Sequence, residues 1–258
     1  MNDRGATISR RNFLALGGAA LGLASASRRP LLRGPSPEPG RLATRFHKPV
    51  KQAPLSAGDH VLAADGDRRS ILFVPQSYDA KRAAPFCLAL HGATGSGDSM
   101  LRNTRDAAEK HGVIVLSPSS GDFSWDAIRG DYADDFARVD KLLGQVFDQC
   151  TIDPRRVAVA GFSDGATYAL SIGLLNGDLF THVIAHSPGF IIPGTPRGKP
   201  KVFISHGRQD TILPFESCGA RIAKQLQGDG YRVRFDAFDG GHMATPKMRE
   251  AAVAWFTA

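Results

Sequence analysis

The sequence predicts one α/β domain, an eight-stranded, mostly parallel sheet with helices on both faces. Three observations carry that expectation. From about residue 58 onward, apolar runs of strand length alternate with amphipathic stretches of helix length, the pattern of a parallel sheet covered by helices. The pentapeptide Gly161-Phe162-Ser163-Asp164-Gly165 falls directly between the apolar run 156–160 and a helix-like stretch opening at Ala166. No internal repeat or second hydrophobic domain interrupts the alternation.

Residues 60–64 and 69–74 read as a leading antiparallel pair joined by the turn Asp65-Gly66-Asp67. Strands follow at 86–90 and 113–116, with helices near 98–111 and 133–149. The run 156–162 leads into the pentapeptide, and the helix opened by Ser163 precedes strands at 182–186, 201–205 and 231–238. Helices near 215–227 and 244–256 complete the series. The stretch 187–200 between two of these strands is too short for a large lid domain, so an open, shallow site is expected.

At 258 residues and 42% hydrophobic content the chain can bury one substantial core. That domain is expected over 57–258. Before it, Ser9-Arg10-Arg11-Asn12-Phe13-Leu14, the apolar stretch from Ala15 to Leu23 and the Ala24-Ser25-Ala26 site form a twin-arginine export signal over 1–26. Export to the periplasm or outside the cell through the twin-arginine machinery follows as an expectation. The apolar stretch is too short to span a bilayer stably. Residues 27–56, rich in Pro and Arg, read as a linker or a surface wrap. Much of the +7 net charge sits in this leader and linker, and no Lys/Arg run with interleaved aromatics follows, so a nucleic-acid partner is not expected. Cys87, Cys150 and Cys218 lie far apart with no metal or redox spacing, and buried free thiols are the default.

The pentapeptide carries the chemistry. A serine held on a sharp turn between strand and helix projects its hydroxyl above the sheet, and the two glycines leave room for the turn. The helix it opens turns free N–H groups and a positive dipole end toward developing negative charge. A serine needs a base, and the base an acid that fixes its tautomer. His242, in Asp239-Gly240-Gly241-His242, follows the last strand and stands in the place for that base. Asp210, on the loop after the 201–205 strand, is the expected acid, with Asp236 and Asp239 as rivals. For the oxyanion, the backbone N–H of Asp164 needs a second donor. His91-Gly92-Ala93-Thr94-Gly95 supplies it through Ala93, with Thr94 as the alternative. Trp125, Phe190 and Ile191 are candidates to line an acyl or aryl pocket. No metal or organic cofactor is called for, since no H-E-x-x-H or Cys/His cluster offers a site.

With these elements in order, the chain resembles the α/β-hydrolase superfamily, in its compact bacterial branch of carboxylesterases and phospholipase-like esterases related to acyl-protein thioesterases. The resemblance rests on Leu90-His91-Gly92, Gly161 to Ala166, Ser205-His206-Gly207 with Asp210, and Asp239 to His242. It implies the α/β-hydrolase fold and a serine esterase acting on carboxylic esters, and the open site expected from the short 187–200 stretch favours short-chain or soluble acyl and aryl esters. A serine peptidase or amidase, or a secreted binding protein that kept the fold, are the other readings. Asp164 departs from the glutamine that thioesterase relatives often carry after the serine, which argues against lipidated-protein substrates.

Overall fold

The computed structural model describes residues 38–50 and 55–258; the expected export signal at 1–26 lies outside the described residues, as do 27–37 and 51–54 of the expected linker. Glycine sets the first turn. β1 (Gly58–Asp65) and β2 (Arg68–Val74) pair antiparallel with Asp65 opposite Arg68, leaving Gly66 and Asp67 as a two-residue turn. Gly66 takes φ 54°, the positive value such a turn requires.

The chain continues through β3 (Ala84–Leu90), α1 (Gly97–His111), β4 (Ile114–Ser117), α2 (Asp126–Arg129), α3 (Asp134–Gln149) and β5 (Ile152–Phe162). Then come α4 (Asp164–Leu175), β6 (His182–His186), β7 (Lys201–Gly207), α5 (Arg221–Gly228), β8 (Val233–Phe238) and α6 (Pro246–Thr257). Eight strands form one sheet in the order β1-β2-β4-β3-β5-β6-β7-β8. β2 alone runs against the rest. The expected mostly parallel eight-stranded sheet is therefore what the chain forms. Two details differ from the sequence reading: α2 was not foreseen, and the helix expected near 215–227 begins as a π-helical turn over Glu216–Ala220.

Strand alternation sorts the core into two layers. Phe86, Leu88, Leu90, Val157 and Val159 face α3 and α4, while Cys87, Ala89, Ala158 and Ala160 face α1 and α6. On β3 and β5 the residues toward α1 and α6 are small, while β2, β4, β6 and β7 bring Phe73, Val115, Ile184 and Phe203 to the same face. All three cysteines are buried and unpaired. Residues 38–50 lie along the outside of α3 and the end of α4. Leu42 is buried there, its N–H donating to Asn176 Oδ1 at 2.9 Å, and Arg41 pairs with Asp178. Between β6 and β7, residues 187–200 carry no helix or strand beyond an isolated bridge at Gly198, so among the described residues no lid domain is inserted there. The carboxyl ends of β3, β5, β7 and β8 deliver the Gly92–Gly95 loop, Ser163, Asp210 and His242.

Burial also fixes a response to acid. His91, at the end of β3, and His182 and His186, on β6, are each pushed down to about 4 by burial. They fold as neutral rings. Above about pH 6.5 the unfolded chain's histidines are neutral too, and stability is complete. As pH falls from about 6.5 toward 4 the unfolded state takes up protons that the native state refuses, so stability is lost through that window, at a slope approaching about 4 kcal/mol per pH unit for three such groups. Urea midpoints followed by circular dichroism should hold steady from pH 8 to 7 and fall steeply below 6; a flat midpoint down to pH 4.5 would contradict the assignment.

Candidate active site

Ser163 adopts φ 56° and ψ −121°, a backbone conformation that an L residue holds only when its surroundings impose it. Three hydrogen bonds impose it here. Its N–H donates to His186 O at 2.9 Å, and its carbonyl accepts from Ala166 N at 2.9 Å and Thr167 N at 3.0 Å. The two flanking glycines are steric necessities. A Cβ on Gly161 would lie 2.0 Å from Gly165 O, and one on Gly165 would lie 2.2 Å from Leu90 O and 2.4 Å from His91 O. The turn therefore sits directly on the end of β3, against the loop that carries Ala93.

Ser163, His242 and Asp210 form one hydrogen-bonded chain. Ser163 Oγ lies 2.8 Å from His242 Nε2, and His242 Nδ1 lies 2.7 Å from Asp210 Oδ2. The loops bearing the acid and the base are tied together, Arg208 N–H donating to Phe238 O and Gln209 N–H to Gly240 O, each at 2.9 Å. Phe162 packs against the His242 ring at 4.9 Å between centroids. The Asp210 carboxylate is saturated. Oδ1 accepts from Ile212 N at 3.0 Å and Leu213 N at 2.8 Å. Burial alone would push this carboxyl up, but the Leu213 N–H and the His242 imidazole outweigh it and hold it below the ordinary aspartate value. Asp236 pairs with Arg234 instead, and Asp239 is exposed and lies 4.0 Å from Arg208.

A second histidine reaches the same carboxylate. His206 Nε2 donates to Leu213 O at 2.8 Å and lies 3.2 Å from Asp210 Oδ2, so its proton sits on Nε2 and is shared between the two oxygens. Burial holds His206 below its ordinary value and keeps it neutral. Its position in Ser205-His206-Gly207 ahead of Asp210 was visible in the sequence; its role as a brace was not, because only the fold turns the ring onto the acid.

The candidate donors Ala93 and Thr94 can be told apart by which N–H group is already engaged. Thr94 N–H donates to Phe123 O at 2.7 Å and is occupied. Ala93 N–H and Asp164 N–H meet no acceptor among the described residues. His91 aims the first of them. Its Nε2 accepts Ser120 N–H at 3.0 Å, so its proton is on Nδ1, which donates to Gly92 O at 2.8 Å. Gly95 N–H also donates to Gly92 O, at 3.0 Å. With that carbonyl pinned, the N–H at the other end of the same trans peptide, that of Ala93, points the opposite way. Asp164 is held by Ser124 Oγ, which donates to its Oδ2.

Trp125 is placed differently from the sequence reading. It is fully buried, stacked on Tyr168 at 5.1 Å, with its indole N–H donating to His91 O at 2.8 Å. It supports the oxyanion loop from below and offers no surface to a ligand. Phe190 and Ile191 line a separate depression with Ile192 and Gln225 that shares no residue with the cleft at Ser163. That cleft, about 390 Å³, is bounded by Ala93, Thr94, Met100, Phe162 and Ile212.

Residues 63–199 match the family described as "Putative esterase". A protein named "Probable feruloyl esterase C" from Aspergillus oryzae is 26% identical over 231 residues, covering 76% of this chain and 83% of its own. Among solved structures, the fluorophosphonate-binding serine hydrolase F of Staphylococcus aureus superposes with a TM-score of 0.60 at 17% identity, over 74% of this chain and 92% of that one. A ferulic acid esterase from Anaeromyces mucronatus, bound to ferulic acid, gives 0.54 at 16% identity, over 77% and 89%. At such identities these structures speak for the fold.

The brace on Asp210 has a measurable consequence. His206→Phe removes a donor from the carboxylate while keeping a planar ring, and kcat is expected to fall roughly tenfold or more. KM should change little, and the acid limb of the pH–rate profile should move up because the more basic carboxylate better stabilises the His242 imidazolium. Unchanged kcat and pH profile would remove His206 from the site.

Proposed function

The chain belongs to the esterase family that its residues 63–199 match, and from that membership we propose that it hydrolyses short-chain or soluble acyl and aryl esters through an acyl-enzyme on Ser163. The observation that carries the reading is the unbroken relay from Ser163 through His242 to Asp210 at 2.8 and 2.7 Å, at the floor of an uncovered cleft.

His242 Nε2 takes the Ser163 proton as Oγ attacks the ester carbonyl. Asp210 holds the imidazole with its Nδ1 proton inward and stabilises the positive charge the ring acquires. The carbonyl oxygen becomes an oxyanion between the N–H groups of Ala93 and Asp164, at the positive end of α4. His242 then gives its proton to the departing alkoxide, and a water molecule, activated by the same imidazole, releases the acyl group. Substrate size follows from shape: the described residues place no lid over the strand ends and nothing around a long acyl chain, so chains beyond the cleft gain little burial. The relative named for feruloyl esters makes hydroxycinnamate esters a natural member of the aryl class.

The test is hydrolysis of p-nitrophenyl esters from acetate to palmitate, with methyl ferulate alongside. We expect kcat/KM to peak at short chains and Ser163→Ala to lower it by about a millionfold, to the level of background. Activity that survives Ser163→Ala, or that rises steadily to palmitate, would sink the reading. We extend the proposal to export through the twin-arginine route, from the leader motif at Ser9 to Leu14. Arg10→Lys with Arg11→Lys is expected to strand the protein in the cytoplasm on cell fractionation; unaltered export would refute that route.

A further inference from the structure

The cleft beside Ser163 carries a single permanent charge. None of the described residues lining it is Asp or Glu, and the one Lys or Arg among them is Arg249. Arg249 comes from the first turns of α6, and its stem lies over the apolar space between sheet and helices, beside Ala252, Val253 and Phe256. It is half-buried. Arg41, Arg69, Arg105, Arg138 and Arg156 each reach a carboxylate. Arg249 has no ion pair and no side-chain hydrogen bond among the described residues, and burial is the one influence on its guanidinium, drawing it below the ordinary arginine value. Asn103, on the neighbouring helix α1, lines the same cleft; it is exposed, and its amide too is without a side-chain partner among the described residues.

Taking a guanidinium partly out of water without a counter-charge is costly. The cost is recovered when an anion enters, because the planar fork of N–H donors matches a carboxylate in two parallel hydrogen bonds that strengthen as water leaves. A cleft floored by a nucleophilic serine, free of acidic side chains and walled on one side by an unpaired arginine is complementary to an ester with a second, ionised acid group. We propose that Arg249 selects esters bearing a carboxylate, on the acyl or the alcohol portion, with Asn103 as a neutral second donor. The proposal deepens the esterase reading and rests on it.

Two matched pairs of substrates test it at low ionic strength: monoethyl adipate against ethyl hexanoate for the acyl side, and 4-acetoxybenzoate against 4-acetoxybenzamide for the alcohol side. In the wild-type protein the kcat/KM of the anionic member should exceed that of its neutral partner at least tenfold in one pair, and the ratio should shrink as salt screens the charge. Arg249→Gln should bring that ratio to within about twofold of one, and Arg249→Lys should restore part of it. Ratios near one in both wild-type pairs, or a wild-type ratio that survives Arg249→Gln in folded protein, overturn the proposal. If Arg249→Gln does not fold, Arg249→Lys and the salt dependence of the wild-type ratio decide. Calorimetric binding of the two anionic esters to Ser163→Ala, with and without Arg249→Gln, separates the two readings. Absence of turnover by wild type sinks the esterase, while equal binding with and without the arginine sinks the selector.

Discussion

The site depends on one backbone-to-backbone approach, the seating of the Gly161–Gly165 turn on the end of β3. Leu90 and His91 carbonyls stand where a Cβ on Gly165 would be, and Gly165 O stands where a Cβ on Gly161 would be. The contact brings the nucleophile and the oxyanion loop to one place without any side chain between them. It also forces Ser163 into its positive φ, and the surrounding hydrogen bonds from Ala166 and to His186 bear that strain. Nucleophile position, helix start and oxyanion geometry therefore cannot be varied independently.

Behind this contact lies a polar platform that holds the oxyanion loop still. The segment from Ser120 to Trp125 makes four hydrogen bonds to it or to the elbow: Ser120 N–H to His91, Phe123 O from Thr94, Trp125 N–H to His91 O, and Ser124 to Asp164. Asp135 from α3 clamps both ends of that segment, accepting from Gly121 N at 2.6 Å and Asp126 N at 3.0 Å. Buried polar groups are costly unless paired, and here each pair also aims a catalytic group, so packing and preorganisation share the same bonds. Burial of Asp135 pushes its carboxyl up, yet the N–H donors and Arg138 keep it in place as a clamp.

Charge is distributed unevenly across the site. Asp210 is surrounded by donors from Ile212, Leu213, His206 and His242, and is a fixed negative point under the imidazole. Above the serine the polarity reverses: free N–H groups, the start of α4 and Arg249 all favour negative charge. The proposed reaction, which moves negative charge from the serine to the carbonyl oxygen, runs down that gradient.

The sequence by itself determined the strand order, every helix but the short α2, the hairpin at Gly66, and the candidacy of Ser163, Asp210 and His242. Each of these follows from local signals: hydrophobic period, glycine where the backbone must turn, and a polar residue at the carboxyl end of a strand. Only the tertiary structure decided which N–H groups stand free, since Ala93 and Thr94 are neighbours with equal claims until Phe123 O occupies one of them. The same holds for Trp125. An aromatic residue on a glycine-flanked loop reads as pocket lining, and it becomes core when its indole finds His91 O and its ring finds Tyr168. Leu42, His206 and Arg249 belong to this class as well. Leu42 depends on Asn176, 134 positions away, and Arg249 on the lack of any side-chain partner among the described residues; His206 stands only four residues before Asp210, yet whether its ring turns onto that carboxylate is set by the folded chain and by no local pattern.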